Sequence, residues 1–262
     1  MQKADLDYFK SWFKKYVARF YELPDDGLQP IFLKEQHTER TCKEMLLLAR
    51  QSSLSEEDLL LAETAALFHD IGRFPQWKYY STFIDSESKD HALLGLAVLC
   101  EHEVLMRISP DERRLIHEAI RHHNLRELPR QLPARQLIFS QLLRDADKLD
   151  IWRVIIMQQR ERSDLLETLA GNIPISNTCS HEIVTELRQG KSPDFSYVRN
   201  RNDMRLIRLG WVFDLNFPAS CHQVLKRRYI EELCSPLPDN QETQELKEYF
   251  ISYLKNRGSE KS

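Results

Sequence analysis

Five of the chain's nine histidines form an ordered series with aspartates: His37, then His69-Asp70, then His91, then His122-His123, and last Asp147 within Asp145-Ala-Asp147-Lys-Leu-Asp150. Imidazole nitrogen and carboxylate oxygen are donors that zinc, iron, manganese and nickel accept, and a mixed His/Asp set suits a hydrolytic or oxygen-handling centre. The sharpest element is His69-Asp70. Neighbours on a helix point ~100° apart, so both reach one ion best where the helix stops, and Ile71-Gly72 follow at once. The doublet His122-His123 stands in the same relation to Asn124. A lone histidine on a helix is ordinarily structural or on the surface, and His102, His117, His181 and His222 are read that way. His37 alone would be read so too; the series lifts it. Asp70 follows Leu67 and Phe68, and a carboxylate buried there is costly without a metal or a cation beside it.

The elements that carry these residues follow from helical periodicity almost throughout. Phe9, Trp12, Phe13, Tyr16, Val17 and Phe20 predict an amphipathic helix over 5–22, its aromatic face meant for the core or a homodimer contact. Pro24-Asp-Asp-Gly27 breaks it as a turn. A second helix over about 30–51 carries His37 near a stripe of Leu33, Met45 and Leu48. Ser55-Glu-Glu-Asp58 resembles a capping box ahead of a buried helix from Leu59 to Phe68. Pro75 then begins a loop, and Lys89-Asp90 opens a fourth helix, His91 to about Glu103. Ser109-Pro110-Asp111-Glu112 starts a fifth. It should end near His123, because Asn124 tolerates a left-handed cap. Residues 134–160 form a long sixth helix through Leu137, Leu142, Leu149, Trp152 and Ile155. Beyond Gly171 the pattern loosens: an irregular or short-strand segment over 195–217, a helix from Pro218 to about Leu233, and a last helix from Glu242 to Lys255. The expected fold is all-α, with a metal-binding helical domain over 1–170 and a mostly helical extension over 171–262 packing on it.

His37, the pair His69-Asp70 with Ile71-Gly72 behind it, and Asp147 together resemble the H…HD…D pattern of the HD-domain superfamily of metal-dependent phosphohydrolases, over about residues 30–160. The resemblance implies an HD-type helical bundle with His37, His69, Asp70 and Asp147 as ligands of one ion. It selects Asp147 over Asp145, because the family's last aspartate stands in an Ala-Asp-x-x-Asp-like segment, here Ala146 to Asp150. His91 and the doublet His122-His123 are similar to the extra ligands of the binuclear branch, which includes the HD-GYP cyclic-dinucleotide phosphodiesterases. There Asp70 would bridge two ions and the three further histidines would hold the second. The chain reads His-His-Asn-Leu-Arg-Glu-Leu-Pro where that branch has Gly-Tyr-Pro, so cyclic di-GMP is not implied as substrate, and Arg73 replaces the lysine usual after His-Asp-x-Gly. The implied cofactor is one or two divalent transition ions (Fe, Mn, Ni or Zn, with Mg allowed). The implied activity is hydrolysis of a phosphomonoester or nucleotide through a metal-activated water. The same ligand order also occurs in di-iron HD-domain oxygenases of the inositol oxygenase type. A third reading is a non-catalytic domain that binds a nucleotide signal.

Arg73 and Lys148 sit inside the motif segments and are candidates, with Asp70, for the catalytic set, Arg73 placed to meet a phosphate bidentately. Arg121, Arg126 and Arg144 nearby are read as ordinary solvated residues. Residues 188–228 hold nine Lys/Arg against Asp194, Asp203 and Asp214; this is a solvated face or a lid over an anionic substrate. Aromatics interleave with it, but a net charge of -3 over 262 residues speaks against a nucleic-acid partner. The longest apolar run, Ala92 to Cys100, falls short of the ~20 residues of a membrane helix. Five cysteines without a C-x-x-C pair give no disulfide framework and point to the cytoplasm.

Overall fold

The structure, a computed structural model, describes residues 1–22, 25–161 and 173–259. Pro24 of the expected turn and the expected domain boundary near 170 lie outside the described residues. Two compact units divide the chain, Met1–Asp150 and Ile151–Ser262. Both are all-α among the described residues, as the periodicity predicts.

In the first unit the helices are α1 (Lys3–Ala18), α2 (Asp25–Gln51), α3 (Glu56–Phe68), α4 (Arg73–Tyr80), α5 (His91–Glu101), α6 (Pro110–His122) and the first part of α7 (Ala134–Glu161). The helix α3 is apolar nearly all round, which suits a central position. It lies against α1, α2 and α6. Ser55 caps it by accepting from the Asp58 N–H at 3.1 Å. The aromatic face of α1 turns into this core: Phe9 meets Phe68 edge-on at 5.8 Å and Phe13 meets Phe74 at 5.9 Å. At the start of α6, Ser109 and Glu112 form the expected capping box, with Pro110 in the first turn.

Several boundaries differ from expectation. The helix α1 stops at Ala18 rather than near 22. The helix α2 begins at Asp25 rather than near 30 and runs through Pro30, which forgoes one backbone hydrogen bond. Pro75 does not begin a loop. It sits at the third position of α4, where a backbone N–H would have no intrahelical partner. Asn124 does not take the left-handed conformation. Its side-chain amide donates to Asp90 Oδ2 at 3.2 Å, and that bond fixes the chain after α6 instead.

The second unit contains α8 (His181–Arg188), α9 (Arg201–Gly210), α10 (Pro218–Lys226), α11 (Tyr229–Cys234) and α12 (Gln241–Gly258). No strand forms over 195–217. Asn200 and Asp203 make a capping box there, and the helix they start buries Met204, Leu206, Ile207 and Leu209. The helix expected from Pro218 to Leu233 is split at Arg228, whose φ of 57° is left-handed. Trp152 is fully buried and donates its indole N–H to Arg208 O at 2.9 Å. In the basic stretch Arg188 pairs with Glu245, Arg199 with Glu182 and Arg228 with Glu231 on the surface. No helix among the described residues is long and apolar enough to cross a membrane.

Candidate metal centre

The histidines and aspartates of the series arrive from five helices. His37 lies in mid-α2, His69 is the C-cap of α3 with Asp70 following, His91 opens α5, His123 is the C-cap of α6, and Asp147 lies on α7. Both doublets thus stand at helix ends, where the backbone can splay neighbouring side chains. The approach of α5 depends on glycine. A Cβ on Gly72 would lie 2.1 Å from His91 O and 2.5 Å from Gly95 N, so no other residue lets the start of α5 come this close to the His69-Asp70 turn.

Asp70 faces two groups of donors. Its Oδ2 lies 3.6 Å from His37 Nε2 and 3.6 Å from His69 Nε2. Its Oδ1 lies 3.4 Å from His91 Nε2 and 3.8 Å from His123 Nε2. Asp147 Oδ1 closes the first group, 3.0 Å from His37 Nε2 and 3.7 Å from His69 Nε2. Three overlapping sets therefore converge at metal-binding spacing: His37, His69 and Asp70; His69, His123 and Asp147; and Asp70, His91 and His123.

Each imidazole has its other nitrogen engaged by an acceptor. His37 Nδ1 donates to Asp150 Oδ2 at 2.7 Å, and Arg40 in turn holds Asp150 through two N–H donors. His91 Nδ1 donates to Asp85 Oδ2 at 2.7 Å, while His69 and His123 donate to the carbonyls of Ala66 and Ile120, each at 2.7 Å. This leaves Nε2 of the neutral ring as a lone pair turned inward, the tautomer that a metal requires. The Nε2 atoms then face one another at 3.2 Å (His37 and His69) and 2.9 Å (His91 and His123). Two such lone pairs repel unless a cation lies between or beside them. The donor chemistry therefore fits divalent transition ions.

The electrostatics agree. Burial would raise the carboxyl of Asp70, but Lys34, His69, His123 and Arg73 hold it well below the usual carboxylate range. Asp147 is likewise held low against burial by His37 and His69. Burial lowers the His91 imidazole to about 4, helped by Arg73, so that ring is neutral and ready to ligate. For His37 burial also acts downward, yet Asp147 and Asp150 outweigh it and the group is pushed up to about 9. Without a metal, this ring is where the surplus negative charge collects a proton.

Not every candidate comes to the cluster. His122 is buried but turns away, with Nε2 3.3 Å from Glu118 Oε2 and Nδ1 3.4 Å from Ser140 Oγ. Of the two nearby aspartates, Asp147 rather than Asp145 takes part in the converging sets. Arg73 is held in place: its Nη1 donates to Gln76 Oε1, Phe83 O and Asp85 Oδ1 at 2.7, 2.7 and 3.0 Å. Lys148 is buried and donates back along α7 to Arg144 O at 3.5 Å. Arg144 is no solvated residue. It is buried and holds the carbonyls of His122, His123, Leu125 and Arg126.

Four partners were missed in the sequence. Asp85 and Gln76 form the network that orients His91, since Gln76 Nε2 donates to Asp85 Oδ1 at 2.8 Å. Arg40 braces Asp150, and Lys34 donates to Asp70 Oδ2 at 2.7 Å. Lys34 and Arg40 each lie three residues from His37 on α2, a helical spacing that puts them on its face. Asp85 and Gln76 carry no such signal.

The family model for the HD domain matches residues 35–152, the stretch from just before His37 to just past Asp150. Residues 35–152 are an HD domain. The matched stretch carries all the converging histidines and aspartates, a donor set that could hold metal ions, and an HD domain points to a family of metal-dependent hydrolases. No curated protein and no solved structure matches the chain.

Proposed function

We propose that this protein is a metal-dependent phosphohydrolase acting on a phosphomonoester or nucleotide. The observation that carries the reading is Asp70, which turns one oxygen to His37 and His69 and the other to His91 and His123. His37, His69, Asp70 and Asp147 would hold one ion; Asp70, His91 and His123 would hold a second. Bound there, such ions supply a water acidic enough to attack at neutral pH and Lewis-acid polarisation of a phosphoryl oxygen. The chain's own contribution is preorganisation. Asp150 and Asp85 keep protons on the Nδ1 atoms of His37 and His91, and Arg40 and Gln76 fix those carboxylates. With ions bound, the inner nitrogens, His37 included, would face them deprotonated on rings held in place.

The test is phosphate release from p-nitrophenyl phosphate and from nucleoside monophosphates by protein purified anaerobically or loaded with Mn²⁺, beside Asp70→Ala. Metal-dependent release that the variant lacks supports the proposal. Bound iron with substrate-dependent oxygen uptake and no phosphate release would replace it with an oxygenase.

A further inference from the structure

We propose that Lys34, rather than Arg73 or Lys148, contacts an anionic phosphate oxygen of the substrate; the proposal rests on the phosphohydrolase reading above. Lys34 stands one helical turn before His37, and its Nζ lies 2.7 Å from Asp70 Oδ2, the oxygen that also faces His37 and His69. Its side chain is 17% exposed against 4% for Asp70, so it reaches the cluster from the solvent edge. An ammonium has three donors, and Asp70 takes one of them. The ring of Phe83 lies 5.4 Å from Nζ and 5.7 Å from the Arg73 guanidinium, giving that edge an aromatic surface that favours a cation.

The present partnership with Asp70 conflicts with the proposed ligand role of that carboxylate. Like charges ~4 Å apart repel, more strongly near a protein surface than in water, and a divalent ion doubles the effect. An ion shared by His37, His69 and Asp70 therefore weakens the hold of Asp70 Oδ2 on Lys34. The four-carbon stem of lysine lets the ammonium turn to another anion at the same edge. The other two cations lack this freedom. Arg73 also faces the cluster, with Nε 3.5 Å from Asp70 Oδ1, but its Nη1 is tied to three acceptors in the 76–85 segment, and Lys148 is buried and donates to its own helix. The substituted position after His-Asp-x-Gly thus serves to hold Asp85 and the 83–85 turn, and the phosphate contact falls to α2.

The experiment compares Mn²⁺-loaded wild type, Lys34→Met and Lys34→Arg. Metal content is measured by elemental analysis, affinity for inorganic phosphate by calorimetry, and folding by circular dichroism and melting. The expected result is unchanged metal content in both variants, phosphate affinity at least ten-fold weaker in Lys34→Met, and partial recovery in Lys34→Arg. Equal phosphate affinity in wild type and Lys34→Met at equal metal content overturns the role of Lys34 and leaves the phosphohydrolase reading standing. Loss of metal from folded Lys34→Met also overturns it, because the residue would then build the metal site. Wild type that holds Mn²⁺ yet binds no phosphate overturns the phosphohydrolase reading itself, and the assigned role with it.

Discussion

The backbone of Gly72 lies so near the start of α5 that a methyl group there would sit 2.1 Å from the carbonyl oxygen of His91. The contact joins the two halves of the centre, since Gly72 follows the His69-Asp70 turn and His91 belongs to the second donor group. Gly72→Ala cannot be absorbed by a flexible side chain, because the atoms it meets are backbone. It should destabilise the protein by about 1–3 kcal/mol and, on the two-ion reading proposed above, reduce bound metal from two equivalents to one, as His91 is pushed away from Asp70. Gly95→Ala meets its nearest backbone atom only at 3.3 Å and should be milder. Elemental analysis and thermal melting read both effects; a Gly72→Ala protein with two full equivalents would refute the link.

The bond between Asp150 and His37 Nδ1 should set metal affinity without touching the ion. Asp150→Asn preserves shape but can present an amide N–H to Nδ1, which moves the ring proton to Nε2 and blocks ligation. Loss of such an outer partner typically lowers metal affinity 10–100-fold. Titration against a chromophoric chelator should show that drop in one of two sites. Asp85→Asn should do the same at the other site through His91 Nδ1. Unchanged affinity in both variants would mean that ring orientation is fixed by packing alone.

The converging residue types, the end of α3 and the start of α6 were legible in the sequence because they are local: His69-Asp70 before Ile71-Gly72, and Ser109 to Glu112. The all-α fold was legible for the same reason, through periodicity. What each cation meets was not. Arg73 sits in a motif segment, yet its acceptors Phe83 and Asp85 lie in a turn ten and twelve residues on. Asp85 gains its role only when that turn folds back on His91. Near Asn200 the polar cluster that reads as irregular chain is in fact a capping box, because Asn and Asp serve turns and helix starts alike. The doublet His122-His123 shows the limit most clearly, since sequence cannot say which ring turns inward.

That doublet yields a direct comparison. His123 directs Nε2 to His91 and Asp70, whereas His122 directs its ring to Glu118 and Ser140. His123→Ala should lose one equivalent of metal, and His122→Ala should keep both, with only the stability cost of emptying a buried position. The reverse pattern in elemental analysis would exchange the two assignments.

Arg144 gives the last prediction, about stability as well as geometry. Its guanidinium holds the carbonyls of His122 and His123 at the end of α6 and of Leu125 and Arg126 in the turn beyond it. Arg144→Met keeps much of the volume but removes the donors. Buried carbonyls left unsatisfied cost about 1–3 kcal/mol each where water cannot replace the donor. With partial rehydration of the 124–126 segment the net loss should be about 2–4 kcal/mol. Because His123 belongs to this same turn, the variant should also bind its second ion more weakly than the first, although residue 144 contributes no ligand. Urea unfolding gives the stability change, and chelator titration gives the two affinities. A variant as stable as wild type would show that solvent already satisfies these carbonyls; a large stability loss with both affinities intact would separate the helix end from the metal centre.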